Sequence, residues 1–337
     1  MKKIFIFIAV IAIILLLIIF AIRENFNFNK IISEIEEKND LTVILHNESI
    51  WNYYPSIKFN NNVTIKDNAD FFLINKADID ISKKYWPTSP IDIILISPSI
   101  NFENLQFHDT IVKSTYKNKK ILFNSISSNL VEGNIVAQGK MGIENDLPFK
   151  FSGSFENISL NMLMNQTKTA KWERVKIKIS SKNFNFSGIA KKNKNLIKKL
   201  KGDLLINGSV FFVSTDEERF GVALLSLLAD KLPDLSSMSN AVNFLITKFS
   251  NIPSSISGTL IIKEGLISTE DMLIENNRGY ASLTAVLDLE TTLIDGKINF
   301  FEGDEVYVEA SLKGSLNNPQ ILIGGKVFIE ENSGSLR

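Results

Sequence analysis

The sequence predicts a mainly β protein with one long apolar helix at its N-terminus and a pair of helices near residues 216–250. Residues 4–22 are 19 consecutive apolar residues without charge, proline or glycine. Short runs rich in Val, Ile, Phe and Thr recur from Leu41 to about Ala190 and again after Pro253. Beyond the apolar run, about 310 residues are enough for one large or two ordinary domains.

The N-terminal apolar run has the length of a membrane-spanning helix. At a rise of about 1.5 Å per residue it reaches about 30 Å, the thickness of the hydrocarbon core of a bilayer. Its exit, "IIFAIREN", lacks the small-x-small pair of a cleavable signal, so we expect an uncleaved anchor. Lys2 and Lys3 precede the run, whereas Arg23 is offset by Glu24. The positive-inside rule then places the N-terminus in the cytoplasm and the bulk of the chain outside it.

Composition excludes several classes of function. The 37 Lys and Arg residues balance the 37 Asp and Glu residues, and the chain has no cysteine. Zero net charge gives no general attraction for nucleic acid, so no nucleic-acid partner is expected. The absence of cysteine removes disulfides, thiol nucleophiles and thiolate metal sites.

The strand-like runs fall into two regions. We place an anchor at residues 1–23, an N-terminal β region at 24–165, a C-terminal β region that includes the helices at 166–330, and a tail at 331–337. In stretches such as "ADIDIS" and "VKIKIS" the two-residue alternation is strict. No intervening segment has the pattern of a βαβ crossover helix, so the strands are expected to pair antiparallel as a meander.

Two helices are predicted, one on each side of Pro233. Apolar residues share a helical face within each of them, namely Phe220, Ala223, Leu224, Leu227 and Leu228 in the first and Val242, Leu245, Ile246 and Phe249 in the second. We expect these helices to cap the β body or pack on it. The alternative is that they sit at one end of a sheet and gate a ligand.

Two late strands present apolar residues on one face only. The predicted inward positions are Leu283, Ala285, Leu287 and Leu289 in the first strand and Val306, Val308, Ala310 and Leu312 in the second. A sheet with such a face must cover it with another layer or with apolar material that is not protein. Alternation alone leaves open what the face covers.

The order of these segments resembles the AsmA family. The chain has "LKGDLLINGSVFFV", a leucine-rich helical segment, "ISGTLIIKEGLISTEDMLIENNRGYASLTAVLDLETTLIDGKINF" and then "VEASLKGSLNNPQILIGG". The N-terminal half is similar as well, with one anchor helix, the step "WNYYPSIKF" and the segment "FSGSFENISLNMLMN", in which Ser159 stands where the family has an Asp. The resemblance covers almost the whole chain.

What the resemblance implies is an elongated, curved antiparallel sheet of the bridge-like lipid-transfer type, forming a groove or an open sandwich. Its apolar surface would shield acyl chains, so phospholipid is the implied partner and the eight inward positions above are the candidate groove residues. The chain would then be a single-pass inner-membrane protein with its bulk in the periplasm, acting in phospholipid transport or outer-membrane homeostasis. No cofactor and no metal are implied.

The basic run "KKNKNLIKKLKG" is a second candidate contact with membranes. Its lysines are Lys191, Lys192, Lys194, Lys198, Lys199 and Lys201. Each lysine near an anionic surface contributes about 1 kcal/mol to binding, so the run is able to touch lipid headgroups. The alternative is a solvated connector between strands.

Enzyme chemistry is not expected. His46 and His108 are the only histidines, and each lies in a strand-like stretch with one acid nearby. Ser114 and Lys117 have the S-x-x-K spacing of a nucleophile pair, but in a strand rather than at a helix start. The alternative function is a non-catalytic scaffold or assembly factor for outer-membrane or secretion proteins, which would use sheet edges to bind other envelope proteins.

Overall fold

The computed structural model describes a mainly β, antiparallel protein that divides into two compact units. The described residues are 36, 41–47, 50–52, 57–67, 72–84, 89–102, 105–142, 147–167, 175–189, 199–214, 233–316, 318–323 and 326–327. The first unit contains the described residues up to Ile158 and those from Lys182 to Gly202, and the second contains those from Ser159 to Ser181 and from Asp203 onward.

The first unit is built on an antiparallel meander. Its strands are β1 (Leu41–Leu45), β2 (Ile50–Asn52), β3 (Ile57–Asp67), β4 (Phe72–Lys83), β5 (Ile91–Phe102), β6 (Leu105–Lys117), β7 (Lys120–Leu130), β8 (Gly133–Gly142) and β9 (Pro148–Ser159). From β2 to β9 each strand pairs with the next, and β1 and β2 pair with opposite halves of β3 like two pieces of one strand. The predicted antiparallel meander is therefore confirmed for this unit.

Strict alternation buries one face of the first unit. In β4, Ala77, Ile79 and Ile81 are buried while Asp78 and Asp80 are exposed, as "ADIDIS" predicts. Buried side chains continue across the register of the neighbouring strands, as in the row Phe59, Ile81, Ile93, Ser114 and Phe123. The alternating face of this unit is thus filled rather than open.

The second unit joins two helices to a second meander. Its elements are α1 (Leu160–Thr167), α2 (Pro233–Phe249), β12 (Ser254–Lys263), β13 (Leu266–Asn276), β14 (Gly279–Asp288), β15 (Leu293–Glu302), β16 (Glu305–Ser315), β17 (Asn318–Ile323) and β18 (Lys326–Val327). Each strand from β12 to β18 pairs antiparallel with the next. Strands β10 (Val175–Ile189) and β11 (Lys201–Phe212) contribute residues to both units.

Local polar side chains begin and end the helices. The hydroxyl of Ser159 accepts a 3.4 Å hydrogen bond from the Met162 N–H and so caps the start of α1. Helix α2 begins at Pro233, a residue favoured in the first helical turn, where its missing N–H has no cost. After α2, Asn251 has a φ of 54°, the left-handed conformation that ends helices, and its amide bonds to Ser214.

One bulge in β13 is held by a carboxylate. The register between β13 and β14 shifts between Thr269 and Met272, and Asp271 lies within this shift. Its carboxylate accepts hydrogen bonds from the N–H (2.8 Å) and hydroxyl (2.9 Å) of Thr259 on the adjacent strand β12. The pKa of Asp271 is lowered chiefly by the bond from the Thr259 N–H, against partial desolvation that raises it, and further by the Thr259 and Thr269 hydroxyls.

Two sequence predictions fall outside the described residues. The anchor at residues 4–22 and the first helix of the predicted pair lie in segments that the structure leaves undescribed, whereas the second helix is confirmed as α2. Among the described residues, no helix is long and apolar enough to cross a membrane.

We expect the Asp271 carboxylate in this bulge to make the free energy of unfolding depend on pH. A carboxyl with a lowered pKa stabilises the fold above its unfolded pKa, and this contribution is lost as the pH falls through its folded pKa. Because Asp271 is exposed and water screens its charge, Asp271→Ala should lower the free energy of unfolding by at most about 1 kcal/mol near neutral pH, and by less once the pH is low enough to protonate the carboxyl in the folded chain. Urea unfolding at both pH values measures the difference. The neighbouring Glu270→Ala is the control, and an equal, pH-independent loss in both variants would contradict the assignment.

Candidate functional site

Strand register gathers the predicted inward residues onto one face of the second unit. Leu283 pairs with Ile298, which pairs with Ala310, and Ala281 pairs with Phe300, which pairs with Val308. Residues in register share a face because side chains alternate with a period of two. We define the apolar face as Ile267, Met272, Ile274, Ala281, Leu283, Ala285, Leu287, Ile294, Ile298, Phe300, Val308, Ala310 and Leu312. Thr269, which pairs with Ala285, is a buried polar residue in the same register, and its hydroxyl donates to Asp271.

The opposite face of the same strands is mainly polar. Ser282 and Thr284 in β14 stand opposite Asn299 and Lys297 in β15. Lys297 and Glu309 form a 2.6 Å ion pair in which both side chains are about half exposed. Such an exposed pair adds little stability, so its main effect is to keep this face in water. The sheet of the second unit is therefore amphipathic, as the sequence predicts.

Burial changes along the apolar face. At one end Ala281, Phe300 and Val308 are 0%, 9% and 4% exposed. Toward the other end of the strands Leu283, Leu287 and Leu312 are only half-buried, as are Ala285, Ile294 and Ile298. In the row of Leu283 and Ile298, Met272 and Ala310 are nevertheless buried. One end of the face is thus closed, and the remainder is accessible in part.

Helix α2 packs on the closed end. The rings of Phe249 and Phe300 meet edge to face at 5.1 Å, and the rings of Phe244 and Phe249 lie 6.5 Å apart. Phe244 also contacts Tyr307 at 4.6 Å. Aromatic pairs at these separations add to the stability that burial of their area already provides. Sequence reasoning placed Phe249 on the inner side of this helix but missed Phe244 and Tyr307, because each lies off the simple periodicity of its element.

The turn between β13 and β14 holds the end of α2. The side-chain amide of Asn276 donates to the Lys248 carbonyl at 3.0 Å and to the Ser254 hydroxyl at 2.9 Å. The guanidinium of Arg278 donates to the Thr247 carbonyl at 3.1 Å. The last carbonyls of a helix have no partner within the helix and carry partial negative charge, so an amide and a cation stabilise them. The turn sequence "NNRG" carries this signal, although its target becomes evident only in the fold.

Two of the eight predicted groove residues depart from the alternation. Val306 pairs with Phe301 instead of continuing the row of Val308, because β16 has one extra residue there, and its side chain is 50% exposed. Leu289 is buried but lies beyond β14, where the Asp288 carboxylate accepts hydrogen bonds from the following N–H groups and starts a turn. The bulge and the turn thus shorten the row predicted from the sequence.

The described part of the basic run points its lysines outward. Lys199 and Lys201 are exposed, and Leu200 between them is 3% exposed. The other four lysines, Lys191, Lys192, Lys194 and Lys198, lie outside the described residues.

The residues considered for catalysis are not brought together. Ser114 is buried and Lys117 is exposed, because residues three apart in a strand point to opposite faces. His46 bonds to the Thr64 hydroxyl at 2.7 Å, and His108 lines an open cavity beside the β7–β8 turn. Within the described ranges no group of three or more His, Asp or Glu residues is placed to hold a metal ion.

Replacing Ser114 tests whether its buried hydroxyl contributes to the stability of the fold. Its hydroxyl is buried without a hydrogen-bond partner, whereas that of Ser97, also buried, has the carbonyls of Ser99 (2.9 Å) and Asn75 (3.2 Å) within reach of its one proton. Ser114→Ala should leave the free energy of unfolding unchanged or raise it, and Ser97→Ala should lower it by about 1 kcal/mol. Chemical denaturation of both variants measures this. A larger loss for Ser114→Ala than for Ser97→Ala would show that the Ser114 hydroxyl has a role that its surroundings do not reveal.

Comparisons with known proteins identify no relative of this chain. No family model, no curated protein and no solved structure matches the chain. The half-open apolar face, closed at one end by α2, is the feature of the described residues from which a function is inferred.

Proposed function

We propose that this chain is an AsmA-like protein that binds the acyl chains of phospholipids on the apolar face of its second unit. The observation that carries the proposal is a face of aliphatic side chains that α2 covers at one end, while Leu283, Leu287 and Leu312 at the other remain half-buried. The AsmA-like order of segments along the sequence supports the same conclusion.

The chemistry of the face favours an acyl chain over a peptide or a polar metabolite. Across β14, β15 and β16 the face is formed by Ala, Leu, Ile, Val, Phe and Gly side chains, none of which donates or accepts a hydrogen bond. A polar group brought against it would lose its bonds to water without replacement, at a cost of about 1–3 kcal/mol. A methylene chain has no such groups, and each methylene buried contributes about 0.8 kcal/mol.

The first unit provides a useful contrast. Its alternating face includes Ile79, Ile93 and Ile121, which are at most 1% exposed. Side chains packed to this degree leave no room for a ligand. We therefore place the acyl-binding surface in the second unit alone. The elongated, curved sheet that the resemblance implies for the whole chain remains part of the proposal, with the acyl-binding face confined to the second unit.

The proposed location follows from the N-terminal sequence. An uncleaved apolar helix at residues 4–22, with lysines before it, would anchor the chain in the inner membrane and leave the bulk of it in the periplasm. There the apolar face would have access to phospholipids, and the protein would act in their transport or in outer-membrane homeostasis. The binding step requires no catalytic group, metal or cofactor.

Matched substitutions on the two faces of β14 test the lipid proposal. Leu283→Gln with Leu287→Gln puts two amides on the apolar face, whereas Thr284→Gln with Val286→Gln puts the same groups on the polar face of the same strand. Phospholipid retained by the purified full chain should fall at least about tenfold in the first variant, since each unpaired amide costs about 1–3 kcal/mol, and should persist in the second. Native mass spectrometry and lipid extraction measure the bound lipid.

The same measurement separates lipid binding from the scaffold alternative. A scaffold that acts through sheet edges would carry no phospholipid in the wild-type chain, and the face substitutions would make no difference. Equal retention by both double variants would also end the proposal, because lipid would then be held elsewhere. Photo-reactive residues at Leu283, Leu287 and Leu312 should crosslink labelled lipid, and those at Ser282 and Lys313 should not.

A second prediction concerns the basic run at residues 191–201. If its lysines meet headgroups, replacing Lys191, Lys192, Lys194, Lys198, Lys199 and Lys201 by Gln should abolish binding of the soluble part, prepared without residues 1–23, to anionic vesicles. Each lysine near the surface contributes about 1 kcal/mol, so the loss should exceed about a hundredfold. Vesicle sedimentation at low and high salt measures it. Unchanged binding would identify the run as a solvated connector.

A further inference from the structure

We infer that Phe249 and Phe300 form a stop at the closed end of the apolar face, which limits the length of the acyl chain that the second unit binds. The inference rests on the proposed lipid function. It adds the orientation of the bound acyl chain and a limit to its length. The acyl chain would lie along the strands, with its methyl end against the two rings.

The geometry of the stop is an aromatic wall across the end of the face. The Phe249 ring, 3% exposed, stands edge-on to Phe300 at 5.1 Å. Its far edge approaches the backbone at Gly279, where an added Cβ would lie 3.6 Å from the ring. Ala281 beside Phe300 is fully buried, so no space for a methylene remains between the wall and the sheet. An acyl chain that reaches this level must end there.

The wall is held from several sides. Asn276 and Arg278 bond to the last carbonyls of α2, and Asn251, two residues after the helix, bonds to Ser214 and to the Phe212 carbonyl. Lys248 lies 3.8 Å from Glu302 and 5.8 Å from the centre of the Phe244 ring. These bonds hold the C-terminal end of α2 on the sheet, and they therefore fix the position of Phe249, the last residue of the helix.

The other end of the face suits a polar headgroup. From Ala281 to Leu287 the strand β14 runs about 20 Å at about 3.3 Å per residue. It then enters the turn at residues 288–292, which contains Asp288, Glu290, Thr291 and Thr292. The face is therefore apolar and blocked at one end, and at the other it borders a turn in which Glu290 and Thr291 are exposed while Leu289 is buried. This polarity matches that of a single acyl chain, with its methyl group inside and its carboxyl end in water.

A series of saturated fatty acids of increasing length tests the stop on the purified full chain. Each methylene buried should strengthen binding about fourfold until the chain reaches the wall, after which added methylenes bring no gain. Phe249→Leu should move this plateau to longer fatty acids, and Leu283→Trp, which adds bulk in front of the wall, should move it to shorter ones. Competition with a fluorescent fatty acid measures the affinities.

The control for the Phe249→Leu substitution is Tyr280, on the opposite face of β14 from Ala281 and Leu283. Tyr280 stacks on Phe301 at 4.5 Å, next to Ala281 and Phe300 but on the opposite side of the sheet. Tyr280→Leu should leave the plateau where it is in the wild-type chain. Circular dichroism of each variant verifies the fold, and Leu283→Trp provides the result if Phe249→Leu does not fold.

The outcomes separate the stop from the proposed function. Wild-type binding that strengthens without a plateau would overturn the stop while lipid binding stands, as would a plateau unchanged by both Phe249→Leu and Leu283→Trp. A plateau shifted equally by Tyr280→Leu would also overturn it, because the effect would then be general destabilisation. Absence of fatty-acid and phospholipid binding by the wild-type chain would overturn the proposed function and the stop together.

Discussion

The alternation of side chains across paired strands is the constraint on which this protein depends. In an antiparallel sheet, residues in register share a face, so a pattern repeated in β13 to β16 becomes a continuous surface only if the register holds. The hydrogen-bonded pairs from Ile274 through Ala281 and Phe300 to Val308 satisfy this condition. At the bulge around Tyr307 in β16, Val306 leaves the row of Val308, whereas across the bulge in β13 the face continues from Ile267 to Met272.

The same alternation of side chains forms a packed core in the first unit and a partly accessible surface in the second. In the first unit isoleucines such as Ile79 and Ile93 are fully buried, so the apolar face serves as a core. In the second unit Ala281 and Ala310 reach such burial, whereas Leu283 and Leu287 remain half-buried. Both units bury serine and threonine residues within their strands, and the second also uses Asn276 and Asn251 to fasten a helix. A core and a candidate binding surface thus arise from one sequence pattern.

Helix α2 shows how far sequence reasoning reaches into the candidate site. Its start at Pro233 and the inward position of Phe249 follow from local rules, because proline favours a first turn and apolar spacing defines a face. The contacts of Phe244 with Tyr307, and of Arg278 with the Thr247 carbonyl, join residues 63 and 31 positions apart. No local pattern encodes such pairs, since they depend on which end of the sheet the helix meets. For the same reason, the sequence does not predict how much of the apolar face α2 covers.

By itself, the sequence determined the mainly β class, the antiparallel pairing, the second helix and the inward positions of Leu283, Ala285, Leu287, Val308, Ala310 and Leu312. These properties follow from period and composition within a few residues. Tertiary structure alone decided that Val306 leaves the row, that Leu289 belongs to a turn, and that one end of the face is closed by Phe249 while the other is half-open. Bulges and helix docking act between distant residues, so periodicity carries no record of them. The turn after β14 is local, but its signal is the Asp288 side chain and not the apolar alternation that was extended to Leu289.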